Sequence, residues 1–232
     1  MSVKLFPHPN FRGVYKLVLE DGSERLATKN LTPGKNVYGE RLIKIEGEEY
    51  RVWDPFRSKL AAAMMKGMKS LPIKENGRVL YLGAASGTTA SHVSDIVGKD
   101  GFVYCIEFSP RSIRDLIDNV CRFRENMAPI LADARFPMRY ATLVSRVDVI
   151  YCDIAQPEQA RILADNAKIF LKKEGWIMLA VKARSIDVTK EPSEIYKREI
   201  DVLKRERFKI SEVINLEPYE KDHTMVIAQF KA

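Results

Sequence analysis

The 232-residue sequence predicts an α/β protein with a parallel, doubly wound sheet, preceded by a small antiparallel β domain. Three observations support this fold class. After residue 54, apolar strand-like runs alternate with amphipathic helical segments, which is typical of a parallel sheet covered by helices. The first 54 residues instead alternate with period two around turns. The chain ends in two strand-like runs without a helix between them, so we expect the last pair of strands to be antiparallel.

The small β domain is predicted over residues 1–54 and the larger domain over residues 55–232. The stretch GVYKLVLEDGSERLATKN alternates on both sides of Asp21-Gly22, a dipeptide that favours a hairpin turn. The stretch ERLIKIEGEEYRVWD repeats this pattern around Glu46-Gly47, and the turn-rich LTPGKNVYGE connects the two hairpins. The β domain contains no cluster of side chains typical of catalysis.

The larger domain is predicted to begin with a helix in RSKLAAAMMKGM. The parallel strands are then predicted over residues 78–82, 102–107, 127–131, 147–151 and 176–181. The helices that follow them are predicted over residues 87–97, 111–122, 156–171 and 193–206. The final antiparallel pair lies in FKISEVINLEPY and HTMVIAQFKA.

The charge of the chain favours an acidic partner, but only mildly. There are 38 Lys and Arg residues against 31 Asp and Glu, a net charge of +7, and a basic balance is typical of nucleic-acid-binding proteins. Much of the excess falls in residues 55–75, where five basic residues face Glu75 alone. A solvated helix face would explain this cluster equally well.

Other features exclude a membrane or metal protein. No apolar run reaches the length of about 18 residues that a membrane span needs, and the N-terminus lacks a secretory signal, so we expect a cytoplasmic protein. The three cysteines have no metal-ligand spacing, and no metal site is expected. Cys105 and Cys152 lie in apolar runs and are predicted to be buried thiols.

The stretch VLYLGAASGTTASHVSDIV passes from a strand through a glycine-containing turn into a helix. Ligands of doubly wound sheets bind outside the carboxyl ends of the strands, so the loop from Gly83 to Thr89 is suitably placed for a site. It lacks the lysine of a phosphate-binding P-loop, and its glycine spacing is not that of a dinucleotide site. A tight turn without a ligand remains the alternative.

Three acidic residues follow three consecutive strands: Glu107, Asp133 and Asp153. A carboxylate at the position of Glu107 can accept both ribose hydroxyls of an adenosine, and Asp133 could accept a hydrogen bond from an adenine amino group. Unpaired carboxylates crowded at one edge would repel one another, and a cationic ligand would relieve this repulsion. S-adenosylmethionine fits these acids better than NAD, which carries two phosphates.

Two lysines are expected near the same edge. Lys182 follows a buried strand in LAVKARSID, and Lys59 lies on the first helix of the larger domain. One lysine, kept neutral by the other, could take a proton from a hydroxyl, while Asp153 orients them. Taken singly, each is more often a surface ammonium group.

Seven stretches resemble the motifs of fibrillarin, in order: RVWDPFRSKLAAA, YLGAASGTTASHVSDIVG, VYCIEFSPRSIRDL, LADAR, VDVIYCDIAQPEQA, LAVKARSID and YEKDHTMV. Fibrillarin is the ribose 2′-O-methyltransferase of box C/D guide ribonucleoproteins. The resemblance covers essentially the whole chain and is to the archaeal form, which lacks the Gly/Arg-rich tail. It implies a Rossmann-like S-adenosylmethionine-dependent methyltransferase sheet.

The resemblance also implies site residues. The catalytic set of the family matches Lys59, Asp153, Lys182 and His223. Its contacts to S-adenosylmethionine match positions in the glycine loop and after the strands: Gly83, Ala84, Ser86, Gly87, Thr88, Thr89, Glu107, Phe108, Asp133, Ala134, Asp153, Ile154, Ala155 and Gln156. Among these, the two threonines would hold the methionine end, and the residues after the second and third strands would hold the ribose and adenine.

The implied partners are a box C/D guide RNA, a target rRNA or tRNA, a Nop-family scaffold protein and a kink-turn-binding ribosomal-type protein, with no membrane involved. Guide pairing would choose the target, because the chain contains no recognisable sequence-reading module. Two alternatives stay open: a free-standing methyltransferase of small molecules or protein, and an assembly factor without activity. A dinucleotide oxidoreductase is disfavoured by the loop spacing and the acidic residues.

Overall fold

The computed structural model describes residues 3–231 and begins with a five-stranded antiparallel sheet. Its strands are β1 (Lys4–Pro7), β2 (Val14–Val18), β3 (Glu24–Lys29), β4 (Leu42–Ile45) and β5 (Glu48–Trp53), in the order β1-β2-β3-β5-β4. Turns at Asp21-Gly22 and Glu46-Gly47 join β2 to β3 and β4 to β5, which confirms both hairpins. Gly22 and Gly47 have positive φ, as such turns require.

A seven-stranded sheet follows. Its strands are β6 (Arg78–Leu82), β7 (Phe102–Glu107), β8 (Met127–Leu131), β9 (Val147–Cys152), β10 (Leu171–Lys182), β11 (Phe208–Asn215) and β12 (His223–Phe230). They are ordered β11-β12-β10-β9-β6-β7-β8, and β6 to β10 are parallel. β12 pairs antiparallel with both β10 and β11. The predicted fold class, including its antiparallel end, is confirmed.

Six helices connect these strands: α1 (Lys59–Met65), α2 (Thr88–Val97), α3 (Pro110–Asn119), α4 (Gln159–Phe170), α5 (Ala183–Ile186) and α6 (Pro192–Arg205). None of the helices within residues 3–231 is long and apolar enough to cross a membrane.

Three predicted boundaries were wrong by three residues or more. α3 ends at Asn119 rather than at Arg122, because a separate turn follows at residues 121–123. α4 begins at Gln159 rather than at Gln156, because the residue before Pro157 is disfavoured in the helical region. β10 begins at Leu171 rather than at Trp176, and its pairing with β9 is interrupted between those two residues. Glu174, inside the interruption, has a positive φ of 57°, so alternation in the sequence did not reveal the strand there.

The two sheets share one apolar core. Phe11, Leu26 and Trp53 of the first sheet region are buried in the same cluster as Leu60 of α1 and Val93 of α2. A second cluster fills the other face of the seven-stranded sheet, under α4 and α6. Cys105 and Cys152 are fully buried, as expected. The five-stranded sheet is therefore packed firmly against the helices that flank the site.

A buried polar cluster, which we call the junction network, joins the sheets beside this core. It consists of Arg51 on β5, Glu40, Asp95 on α2 and Arg124, all with side chains at most 1% exposed. Arg51 lies 2.7 Å from Glu40 and 2.9 Å from Asp95, and Arg124 lies 2.6 Å from Asp95. Buried charges persist only when paired in this way, so the network fixes the first sheet relative to α2.

Candidate active site

The carboxyl ends of the parallel strands surround a cavity of about 290 Å³ where the strand order reverses at β6 and β9. This is the position at which doubly wound sheets bind ligands. Ten residues predicted from the sequence line it: Gly83, Glu107, Phe108, Asp133, Ala134, Asp153, Ile154, Ala155, Gln156 and Lys182. The volume lies near the lower limit for small-molecule sites.

Five predicted residues of the glycine loop do not line this cavity: Ala84, Ser86, Gly87, Thr88 and Thr89. The Thr89 side chain is buried and donates a hydrogen bond to Ser58 Oγ at 2.9 Å. Ser58 in turn caps the N-terminus of α1. Thr89 therefore ties the loop to the helix that carries Lys59, and a cofactor contact for these five residues stays a prediction.

The two loop glycines are explained by packing within the protein. Gly83 has φ +81°, and a Cβ there would lie 2.8 Å from the carbonyl oxygen of Asp153. Gly87 has φ +94°, and a Cβ there would lie 2.7 Å from Leu116 on α3. Side chains are strained in both backbone conformations. Each glycine lets the loop approach neighbouring protein, so the turn that first suggested a ligand is needed even without one.

Glu107 is held in place by the backbone. Its Oε2 accepts from the Ala85 amide at 2.8 Å and its Oε1 from the Ser109 amide at 2.9 Å. Each carboxylate oxygen has a further lone pair, so Glu107 can still accept two hydroxyl donors. Beside it, the Phe108 side chain is 65% exposed and offers an aromatic face at the cavity edge.

Asp133 is not the unpaired carboxylate that the sequence suggested. Arg135 lies 2.7 Å from it, and the hydrogen bonds that it donates hold the pKa of Asp133 below its usual range. Asp153 is paired with lysines, and Glu107 with backbone amides. The three acids therefore do not repel one another as expected, and mutual repulsion is not the reason for preferring a cationic ligand.

Lys59, Asp153 and Lys182 form what we call the site cluster. Lys182 Nζ lies 2.8 Å from Asp153 Oδ1 and donates to its backbone carbonyl at 3.0 Å. Lys59 Nζ lies 3.5 Å from Asp153 Oδ2. Each lysine thus faces a carboxylate, and the expectation that one lysine keeps the other neutral stays a prediction. The side chains are 15–18% exposed, so a substrate can reach them.

Glu220 is a fourth member that sequence reasoning missed. Its Oε1 lies 3.5 Å from Lys59 Nζ. Glu220 lies in the irregular loop before β12, where no periodic pattern points to a role. Its place in YEKDHTMV, three residues before His223, was the only available signal.

His223 opens β12 directly opposite Lys182 on β10. Its Nδ1 lies 2.6 Å from the carbonyl oxygen of Lys221, and because a carbonyl only accepts, Nδ1 carries the hydrogen. Nε2 of the neutral ring is then the acceptor. All four residues of the predicted catalytic set therefore lie at the same end of the sheet, where β9 and β10 finish and β12 begins.

The cavity is also lined by residues that were not predicted. They are Ala85, Ile106, Ser109, Ser112, Ala132, Arg135 and Ile162. Most are neighbours of predicted residues, and Ser112 and Ile162 reach the cavity from helices α3 and α4.

The strand order, the antiparallel β12 and a cavity at the reversal point define a Rossmann-like methyltransferase fold. The fibrillarin family model matches residues 5–232. The chain belongs to the fibrillarin family, as the motifs suggested.

Three relatives illustrate the similarity. A fibrillarin-like rRNA/tRNA 2′-O-methyltransferase of Pyrobaculum aerophilum is 58% identical over 98% of this chain and 97% of that protein. The crystal structure of Aeropyrum pernix fibrillarin with natively bound S-adenosyl-L-methionine is 56% identical, with a TM-score of 0.92 over 98% of this chain and 99% of that one. A fibrillarin/Nop5p complex is 43% identical, with a TM-score of 0.83 over 96% and 99% of the two chains.

Proposed function

We propose that this chain is an S-adenosylmethionine-dependent ribose 2′-O-methyltransferase of rRNA and tRNA. The observation that carries the proposal is the site cluster, in which Asp153 binds both Lys59 and Lys182 at the edge of the cavity. The activity of the Pyrobaculum relative and the ligand of the Aeropyrum structure support it.

The residues of the cavity fit S-adenosylmethionine. Glu107 has lone pairs left for two ribose hydroxyls, and the exposed Phe108 ring can stack on an adenine. The two cations that line the cavity, Lys182 and Arg135, are both paired with carboxylates, which disfavours a phosphate-bearing cofactor.

When bound, S-adenosylmethionine supplies a sulfonium methyl group. The part of the chain in the reaction is to hold the ribose hydroxyl in line with that methyl group. Lys59 and Lys182 donate hydrogen bonds to the ribose, and Asp153 fixes both ammonium groups. The hydroxyl loses its proton to solvent water as it takes up the methyl group. Placing the reacting atoms contributes more than acid–base help in such a transfer.

We also propose that the chain acts as the catalytic subunit of a box C/D guide ribonucleoprotein. Its Nop-family scaffold protein has a precedent in the fibrillarin/Nop5p complex, and guide RNA and a kink-turn-binding protein would complete it. Base pairing with the guide would then select the ribose.

The test is methyl transfer from labelled S-adenosylmethionine to a target RNA, with the complete assembly and with the lone chain. Two guides are used whose pairing with the target is offset by one nucleotide. We expect one methylated ribose, which moves by one nucleotide with the guide. Transfer by the lone chain at the same rate would favour a free-standing enzyme, and none under any condition would favour an assembly factor.

A further inference from the structure

A second cavity, of about 550 Å³, lies where the first sheet meets α1 and the loop before β12, near the site cluster. We call it the arginine cleft and define it by Arg25, Arg41, Arg57, Tyr38, Phe56 and Tyr219, all of which line it. Neither the sequence motifs nor the proposed chemistry gives these residues a role.

Residues of the cleft are close neighbours of the site cluster. Arg57 is two residues before Lys59, and Tyr219 is next to Glu220, whose carboxylate lies 3.5 Å from Lys59 Nζ. The cleft is therefore within reach of the nucleotides that adjoin a ribose bound at Lys59.

The positive charge of the cleft is available to a ligand. Arg25, Arg41 and Arg57 are exposed, and within residues 3–231 none of them forms an ion pair. Two of the acids that also line the cleft are paired elsewhere, Glu24 with Lys16 and Glu40 with Arg51. The third, Asp54, accepts a hydrogen bond from the Phe56 amide but keeps its charge, which the three arginines outnumber.

The cleft also offers aromatic faces. Phe56 is 62% exposed although it is a large apolar side chain. Its ring contacts Tyr219 edge to face at 5.0 Å, and the Arg57 guanidinium lies 5.7 Å from the Tyr38 ring. Arginines interleaved with exposed aromatic rings are the combination that binds single-stranded nucleic acid, through phosphate contacts and stacking.

The far wall of the cleft is held rigidly. Arg25 and Arg41 belong to the first sheet region, while Phe56 and Arg57 lead into the second. The junction network fixes the two sheets relative to each other, so the arginines stand at a set distance from Lys59. A small sheet without catalytic groups would in this way supply half of a substrate site.

We propose that the arginine cleft binds the target RNA strand next to the methylated nucleotide. Its arginines contact phosphates, and Phe56 packs against a base or ribose. This inference rests on the proposed function for the identity of the ligand, although RNA binding by the cleft can be measured without methyl transfer.

The first experiment measures binding of fluorescein-labelled oligouridine to the full chain by anisotropy at low salt. The variant is Phe56→Ala with Arg57→Ala. The control is Arg122→Ala with Phe123→Ala. These residues are also adjacent in the chain and lie outside the cleft, with the Arg122 guanidinium 5.7 Å from the Phe123 ring. We expect the cleft variant to bind at least about fivefold more weakly, the effect of one lost stacking contact, and the control to bind like wild type.

The second experiment measures methyl transfer in the complete assembly. We expect the cleft variant to raise KM for target RNA while kcat and S-adenosylmethionine affinity stay near wild type. Equal oligouridine affinity in all three proteins, or no binding by wild type, would overturn the proposal. So would a variant that keeps RNA affinity but no longer joins the scaffold protein, since the cleft would then be a protein-docking surface.

The two proposals can fail separately. One outcome is that wild type and the control variant bind RNA alike, while the cleft variant binds more weakly and no protein transfers a methyl group. In that case the cleft assignment stands and the enzymatic function falls. If wild type methylates RNA and the cleft variant matches it in both experiments, the enzymatic function stands and the cleft assignment falls.

Discussion

The site cluster and the junction network are built from the same kinds of charges but differ in how completely these charges are used. In the network, Asp95 accepts from Arg51, Arg124, the Thr28 hydroxyl and the Leu31 amide, at 2.6–3.2 Å. In the site cluster, Lys182 lies 2.8 Å from Asp153, but Lys59 lies 3.5 Å from both Asp153 and Glu220.

This difference separates structure from chemistry. A sealed cluster whose donors and acceptors are all paired has nothing to offer a substrate, and it can only hold elements together. In a half-open cluster, a lysine that has only long contacts, as Lys59 has, can donate to a reacting group. The predictions that follow test this contrast, from the largest expected effect to the smallest.

The largest effect is expected from Asp95→Asn. The substitution keeps the shape of the side chain but leaves Arg51 and Arg124 with a weaker buried partner. Removing one partner of a buried ion pair typically costs about 3–5 kcal/mol, and we expect the free energy of unfolding in urea to fall by that amount. Asp165→Asn, which alters an exposed pair with Arg161, is the control and should leave stability unchanged. Equal stability of both variants would contradict the structural role of the network.

Asp153→Asn should act on rate rather than on stability. Lys59 and Lys182 would lose the carboxylate that fixes them, and misplacement of catalytic groups by about 1 Å can cost about 100-fold in rate. The check is single-turnover methyl transfer to target RNA, together with the unfolding midpoint. A rate within a few-fold of wild type would mean that the site cluster is not what positions the ribose.

His92, which lies beside the junction network, should make the free energy of unfolding depend on pH. His92 is buried among Trp53, Thr28 and Tyr38. Burial, followed by repulsion from Arg51 and Arg124, holds the pKa of His92 well below its usual value, with Asp95 the nearby opposing charge. Because the pKa of His92 is lower in the folded than in the unfolded protein, the unfolded protein binds a proton first as pH falls. The free energy of unfolding is therefore highest above the unfolded pKa of about 6.5 and decreases below it.

The expected slope is about 1.4 kcal/mol per pH unit between pH 6.5 and 5. Urea unfolding across this range checks it, and His92→Gln should flatten the slope. His8, whose pKa burial also lowers, is the matched control, since His8→Gln should change the slope much less. A slope unaffected by His92→Gln would show that another group titrates.

The smallest effect is expected from Phe108→Ala. Loss of one exposed aromatic face should weaken S-adenosylmethionine binding about fivefold, the value of about 1 kcal/mol for an aromatic contact. Calorimetry measures it. Phe136→Ala, an aromatic residue that is also exposed but lies outside the cavity lining, should bind the cofactor like wild type. If both variants bind equally well, Phe108 does not contact the adenosine.

Much of the fold could be read from the sequence because the pattern is local. β6, β7 and β8 have the predicted bounds, since each is a short apolar run between turn residues. β10 was cut short because its first residues, 172–174, are exposed and charged. They lie between Leu171, which pairs with β9, and Trp176, where pairing with both β9 and β12 begins, and local sequence does not encode this pairing.

The site was predicted less evenly. Glu107, Asp133 and Asp153 follow strands, so their convergence could be inferred from the topology of a parallel sheet. His223 was assigned from the resemblance alone, and Glu220 was missed. Both lie at the entrance to β12. Only the antiparallel pairing of β12 with β10 brings His223 opposite Lys182, and only the tertiary fold brings Glu220 to Lys59.

The sequence by itself determined the fold class, the family and the residues at the strand ends, because strand periodicity, turn residues and motif spacing are properties of short segments. Tertiary structure decided how the charges are partnered. It placed Asp95 between two arginines and Asp153 between two lysines, and it opened the arginine cleft where the first sheet meets α1. These outcomes depend on contacts between residues 29 to 94 positions apart in the chain, and the burial that sets their strength exists only once the two sheets have packed together.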